Sequence, residues 1–394
     1  MSKFLPLENS VCAVDGFYAN GIAAGLKGKD QKDLAFLYSQ EVCDVAAIYT
    51  SNKMLAAPLQ HAKAKGTIKS NFILINSKNA NAMTGKRGIA DIDAIFSSLL
   101  MKFPLVSPLM SSTGVIGVHL PTQKIIDAAL TFDLSSRDGV AASQAIMTTD
   151  AFSKTIAFEV QTADGKSFKI GAMAKGAGMI NPAMATMLCF ITTDINLPAV
   201  MVQAILERVN QKSFNAMSVD GDTSTNDTVF VMNSKKSSCS DEEAFEEALS
   251  KVMTFLAKEM VRDGEGATKL ITYNVTGALN DKEAETTAKA LSNSLLIKTA
   301  FNGEDPNWGR IAMSVGACGV ECHESTLTIA YEDIVLVDKG ENLFDDALET
   351  KCATVLQKDA FSVNVDLGVA DGKFTAYGCD LGHEYVTINA DYRT

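Results

Sequence analysis

Five short segments carry residue types able to do chemistry. The run from Lys175 through Gly176, Gly178, Pro182 and Ala185 delivers one hydroxyl, Thr186, to the start of an apolar stretch, with Lys175 eleven residues upstream. Its glycines suggest a dinucleotide loop, but a third glycine is missing and Pro182 interrupts the helix such a loop must open. No acidic residue follows at the right distance either, so that site is excluded. Ser111-Ser112-Thr113-Gly114-Val115-Ile116-Gly117 is a run of small residues whose hydroxyls and N–H groups can hold an oxyanion or simply reverse the chain. Val219 to Thr228 looks like a calcium loop until positions six and twelve prove to be Thr225 and Val231, which excludes an EF-hand and leaves an Asx- and Ser/Thr-rich loop. In Arg262-Asp263-Gly264-Glu265-Gly266-Ala267 the glycines leave Glu265 open to a cationic ligand or to solvent. Gly303 to Arg310 holds the only tryptophan, Trp308, as an anchor of a rigid turn or as a ligand contact. A threonine in an apolar strand is in most contexts a β-branched filler, so no segment names a function by itself.

Regular elements must bring these segments together. Phe72 to Asn76 reads as a buried strand, and Ile92, Ile95, Phe96, Leu99 and Leu100 repeat at helical spacing between Ile89 and Phe103. Ile156, Phe158 and Val160, a turn at Ala163-Asp164-Gly165, then Phe168, Ile170 and Ala172 predict a hairpin leading into the Lys175 loop. Pro198 opens a helix to about Val209, and Ser240 with Glu243 forms a capping-box pattern ahead of a long amphipathic helix through Leu256. The last third is richer in strands. Leu327 to Val337, Phe361 to Leu367, Phe374 to Leu381 and Tyr385 to Asn389 all read as strand-like, the middle pair joined by Ala370-Asp371-Gly372. Periodicity therefore supports a layered α/β protein, a mixed α+β arrangement of mixed sheets with helices on their outer faces.

Composition limits the function. The chain has 394 residues, 47% hydrophobic and 21% charged, as in an ordinary globular protein of two or three core units. Its formal charge of −12 repels a phosphate backbone, which argues against nucleic acid as a partner. No apolar run approaches the roughly 18 residues of a membrane span, and the first residues lack the layout of a signal peptide, so a cytoplasmic protein is expected. The eight cysteines are scattered and expected to be free and buried. Cys318, Cys322 and His323 lack metal-site spacing and a second ligand pair, so no metal is expected. None of the four histidines stands in the context of a catalytic dyad, so a nucleophile here needs another base.

Taken together, the segments resemble the ornithine acetyltransferase family, also called the arginine-biosynthesis bifunctional glutamate N-acetyltransferases. The resemblance runs from Gly16-Phe17 and Thr50-Ser51-Asn52-Lys53, through Asn76-Ser77-Lys78-Asn79-Ala80-Asn81 and the five segments, to Ile388-Asn389-Ala390-Asp391-Tyr392-Arg393-Thr394. It implies an αββα-type layering and a self-cleaving, N-terminal-nucleophile-like enzyme. It also implies a cut between Ala185 and Thr186, giving an α chain, 1–185, and a β chain, 186–394, that assemble as a heterotetramer. Thr186 is then the nucleophile and Thr113 with Gly114 the oxyanion pair. Thr149, Lys175, Thr186, Glu265, Asn389 and Thr394 match substrate-binding positions. Two departures stand out: Ala183 lies where an asparagine is common three residues before the nucleophile, and Lys78 where a glycine is usual.

The implied reaction moves acetyl from N2-acetyl-L-ornithine to L-glutamate through acetyl-Thr186, with acetyl-CoA a further donor in some members. A threonine hydroxyl must lose its proton as it attacks. The α-amine freed by the cut, with an ordinary pKa of about 7.7–8.0, suits the role of base. Both substrates bring an α-carboxylate, for which Lys175 is a sensible partner, and the ornithine ammonium calls for a carboxylate such as Glu265. These steps require no cofactor. The alternatives are a self-processing amidase or aminopeptidase that hands the acyl group to water, and a non-enzymatic binding protein that stays uncut.

Overall fold

The computed structural model describes residues 2–28, 30–181 and 187–391. Pro182 to Thr186, and with them Ala183, Ala185 and the expected nucleophile, lie outside the described residues, as does Thr394. The first half contains β1 (Lys3–Pro6), β2 (Phe17–Ile22), β3 (Leu34–Tyr49), α1 (Ala57–Lys63), β4 (Ile68–Asn76), α2 (Gly85–Leu100), β5 (Leu109–Ser112), α3 (Thr122–Ala129), α4 (Gly139–Ile146), β6 (Lys154–Gln161) and β7 (Ser167–Lys175). Beyond the glycine loop come β8 (Leu188–Thr193), α5 (Ala199–Gln211), β9 (Met217–Ser218), β10 (Thr228–Asn233), α6 (Glu242–Arg262) and β11 (Leu270–Ala278). The chain ends with α7 (Asp281–Asn293), α8 (Leu295–Asn302), α9 (Trp308–Ala317), β12 (Thr328–Tyr331), β13 (Ile334–Asp338), β14 (Glu341–Asn342), α10 (Asp346–Leu356), β15 (Ala360–Asp366), β16 (Gly372–Cys379) and α11 (His383–Asp391).

The strands form two mixed sheets, as the sequence pattern led us to expect. One runs β1-β6-β7-β8-β10-β3-β4-β5 with β2 also on β3, and the other β14-β13-β12-β15-β11-β16-β9. The long strand β3 is the spine of the first sheet. Its Leu34–Ser39 half pairs with β2 and its Asp44–Tyr49 half with β10, while β4 runs along the other edge across a register shift between Tyr38 and Cys43. Helix α2 buries Ile92, Ile95, Phe96 and Leu99, one face at helical spacing, in a core shared with Phe36, Phe72 and Leu74. Helix α6 buries Phe245, Leu249, Val252 and Leu256 among residues of β7 and β8 and of β16. Helices α7 and α9 contribute Leu291, Ile311 and Val315 to a separate core on the second sheet.

Four local expectations are corrected. Tyr385 to Asn389 is helical, inside α11, and no residue of that helix is buried. Its alternating apolar residues have no sheet face to meet, because β16 has already ended at Cys379. The small residues Ser111 and Ser112 form a strand, β5, and the turn follows it at Thr113. The cap of α6 is Asp241, whose carboxylate accepts from Ala244 N at 3.0 Å, one residue beyond Ser240. Finally, β15 and β16 are joined by a turn but do not pair, since β11 lies between them, parallel to one and antiparallel to the other. The eight cysteines are free and six are buried.

Candidate active site

The oxyanion-type turn is built by close backbone packing. After β5, Thr113 N donates to Asn76 O at 3.0 Å and Val115 N to Lys78 O at 3.1 Å, which pins Gly114 between them. Gly114 has φ 129, and a Cβ there would lie 2.2 Å from the Lys78 carbonyl carbon, so only glycine fits. No acceptor among the described residues takes the Gly114 N–H. Behind the turn, Asn226 Nδ2 donates to Ser112 O at 2.8 Å and Ala80 O at 2.6 Å, which ties it to the loop that opens β10.

Strand β7 carries Lys175 to the end of the hairpin, where its side chain is 2% exposed. Its Nζ donates to Thr148 Oγ1 at 2.7 Å and to Thr113 Oγ1 at 3.2 Å, and stands 4.0 Å from Asp150 Oδ2. Asp150 is fully buried and well supplied with donors: Gly176 N at 2.7 Å, Lys154 Nζ at 2.8 Å and Thr148 N at 2.9 Å. Burial alone would raise its pKa, but the Lys175 and Lys154 ammoniums outweigh it and hold the carboxyl down at about 2. Burial pushes Lys175 in the downward direction too, with Asp150 pulling against it. Lys154 also donates to Asp263, whose carboxylate receives Ala151 N at 3.1 Å.

Across the crevice, Glu265 follows the end of α6, anchored by its own N–H on Ala177 O at 2.9 Å. Gly178 passes so close that a Cβ there would lie 2.5 Å from the Glu265 carboxylate. Helix α11 closes this side: Asn389 Nδ2 donates to Glu265 Oε2 at 2.7 Å, and Tyr385 OH donates to Asp220 Oδ2 at 3.3 Å. Asp220 in turn accepts Met179 N at 2.5 Å and Ile180 N at 2.9 Å, fixing the glycine-rich loop, while burial raises its pKa. On the far side of Pro182 to Thr186, Met187 N donates to the buried Asp227 Oδ1 at 3.0 Å. Burial raises the Asp227 carboxyl well above the usual range.

One cavity of about 190 Å³ is lined by Thr113, Gly114, Thr149, Lys175, Glu265 and Asn389, the described residues singled out in the sequence, with the Asp150, Lys154 and Asp263 charges behind it. Gly178 and Met179 of the glycine-rich loop line it as well, and so do Thr148, Asp220, Asp222 and Tyr385, to which the sequence pattern gave no part in the site. The Gly303–Arg310 segment does not. Trp308 packs against the core of the second sheet, which decides for the anchor reading, and Glu304 pairs with Lys269 at 3.1 Å. Among the described residues no group of His, Cys, Asp and Glu could hold a metal, and no helix is long and apolar enough to cross a membrane. Chemically, the cavity offers an N–H and a hydroxyl for an oxyanion at one end, and a carboxylate for a cationic side chain at the other.

This mixed α/β chain is an enzyme of the acetyltransferase class. It belongs to the ArgJ family, whose model matches residues 18–394. The arginine biosynthesis bifunctional protein ArgJ of Wolinella succinogenes is 53% identical over 396 residues, covering 100% of both chains. The protein of that name from Bacillus cereus is 43% identical over 417 residues, covering 100% of this chain and 99% of the other. Among solved structures, arginine biosynthesis bifunctional protein argJ from Bacillus halodurans is 40% identical and covers 52% of this chain and 98% of its own, with a TM-score of 0.49.

Proposed function

We propose that this chain cuts itself between Ala185 and Thr186 and then transfers acetyl from N2-acetyl-L-ornithine to L-glutamate, in the cytoplasm, as a heterotetramer of the α chain 1–185 and the β chain 186–394. The observation that carries this reading is the convergence, on one small cavity, of the Thr113–Gly114 turn, Lys175, Thr149 and the Glu265–Asn389 pair, drawn from five separate parts of the chain. In the first half-reaction Thr186 Oγ adds to the acetyl carbonyl and gives its proton to the Thr186 α-amine. Thr113 and Gly114 hold the oxyanion, and the ornithine amine leaves with a proton. In the second, the glutamate amine attacks acetyl-Thr186 and restores the hydroxyl. Glu265 receives the ornithine ammonium, while Thr394 and Asn389 complete the substrate site. Acetyl-CoA, where it serves as donor, would acylate the same hydroxyl.

The intact mass under denaturing conditions tests this directly. Out of 42.0 kDa the cut yields chains of roughly 20 and 22 kDa by share of residues, the larger gaining one acetyl after incubation with N-acetylornithine. Thr186→Ala is expected to remain one chain of full mass and to transfer nothing. An active or cut Thr186→Ala protein would falsify the assignment, and acetyl release without glutamate would favour the hydrolase alternative.

A further inference from the structure

Lys175 does more than present a charge to the cavity. Its ammonium donates to Thr148 Oγ1 and to Thr113 Oγ1, and Thr113 belongs to the proposed oxyanion pair. An ammonium has three hydrogens and no acceptor, so in both contacts the threonine oxygen accepts. A hydroxyl has a single hydrogen. With one lone pair of Thr113 held by the lysine, that hydrogen must turn away from the ammonium, and Thr113 lines the cavity where a carbonyl oxygen could receive it. A cationic donor on the oxygen also polarises the O–H and makes it a stronger donor in turn.

We propose that Lys175 is a positioning residue of the oxyanion hole, acting through Thr113 by gripping Oγ1 and aiming its hydrogen at the reacting carbonyl oxygen. This deepens the acetyl-transfer reading and rests on it. It gives Lys175 a task that binding a substrate carboxylate does not require. The arrangement works only while Lys175 is protonated, because a neutral amine can accept the Thr113 hydrogen, which reverses the bond and leaves the oxyanion one donor short.

Burial works against that requirement and lowers the Lys175 pKa, and the buried carboxylates around the ammonium oppose this. Asp150, from the segment after α4, stands 4.0 Å away. Glu265 and Asp227 also favour the ammonium, whereas Lys154 on β6 and Lys27 in the loop after β2 oppose it. Lys154 is matched on its other side by Asp263, so Lys175, Asp150, Lys154 and Asp263 alternate in sign through the interior. Of these four only Lys175 reaches the cavity.

The test is a double-mutant cycle on the full chain, with kcat and KM for N-acetylornithine normalised to the cut fraction. Thr113→Ala and Lys175→Met are each expected to lower kcat by about 10²-fold with KM within about threefold, and the double variant to fall no further than the lower single one. Losses that multiply, or a raised KM at unchanged kcat in Lys175→Met, would show the lysine acting independently and would overturn the proposal. Where a substitution stops the cut, Asp150→Asn decides. It keeps the lysine but removes the neighbour that holds its proton, so the alkaline limb of kcat should move about one unit or more to lower pH. A merely structural loss would lower the plateau and leave the limb in place, which would equally overturn the role. Failure of the acetyl-transfer reading itself shows separately, as absence of acetyl transfer in the unsubstituted protein.

Discussion

At the scale of single residues, the Thr113–Gly114 turn rests on a pair of positive-φ positions set back to back. Gly114 has φ 129, and its neighbour across the gap, Lys78, has φ 77. The first conformation is open to glycine alone. The second costs an L-residue about 1–2 kcal/mol, which a glycine would not incur. Lys78 therefore holds a backbone conformation that glycine adopts freely. Replacing Gly114 by alanine puts a methyl 2.2 Å from the Lys78 carbonyl carbon and must push the turn open. Expected is a loss of about 1–3 kcal/mol of stability by thermal melt, with kcat down at least about 10²-fold, whereas Lys78→Gly keeps its activity. A fully active Gly114→Ala protein would remove the Gly114 N–H from the chemistry. Thr113, Gly114, Lys175 and Glu265 were legible in the sequence because each sits among glycines or small polar residues. Asp150, Lys154 and Asp263 were not, since a charged residue in a connecting segment or at the end of a strand or helix ordinarily points to water. Only the fold shows the Lys154 side chain fully buried between carboxylates 109 residues apart in sequence from it at most.

At the scale of elements, α11 is the part of the site that sequence reading described least well. The alternation of Tyr385, Val386, Thr387 and Ile388 suits a strand, and local propensity gave no reason to prefer a helix. What decides is the context of the preceding strand. The Asp380 carboxylate that follows β16 accepts the N–H groups of Thr268 and Lys269, both at 2.8 Å, and the chain then turns over the crevice rather than along a sheet edge. As a helix it places Tyr385 and Asn389 one turn apart on the same side, the first on Asp220 and the second on Glu265. Strands inside the sheets were readable because both period and burial agreed there. An exposed closing helix lacks that second signal. The contact of Asn389 with the carboxylate is made before and during reaction alike, so its loss should fall on binding. Asn389→Ala is expected to raise KM for N-acetylornithine about 10-fold or more, with kcat within about threefold, consistent with a bond to a charged group worth about 1.5–3 kcal/mol. Steady-state kinetics with the ornithine donor decide it, and an unchanged KM would free Glu265 from dependence on this helix.

At the scale of the whole molecule, the proposed cut falls where it cannot separate the two halves. Strand β8 begins two residues beyond Thr186 and pairs antiparallel with β7 of the first half. On its other side it pairs in parallel with β10, and β10 pairs with β3, again of the first half. Two strands of residues 186–394 are therefore inserted between strands of residues 1–185 inside a single sheet. The cores follow suit. Phe168 and Ile170 from before the cut pack with Ile205, Phe245 and Leu249 from after it, while Phe190 and Phe230 join Phe17, Leu37 and Ile73. Breaking one peptide bond removes none of this burial, and separating the halves would expose apolar surface on both faces of the sheet at about 25 cal/mol per Å². The cut protein is accordingly expected to elute under native conditions as one species containing both chains and to melt in one cooperative transition. The chains should part only in denaturant, and residues 1–185 or 186–394 made alone should be insoluble, their unpaired strand edges open to aggregation. Size-exclusion chromatography with denaturing gels of each fraction checks the outcome. Two halves that separate and stay folded would mean that the boundary at Ala185–Thr186 divides independent domains, which the strand order argues against.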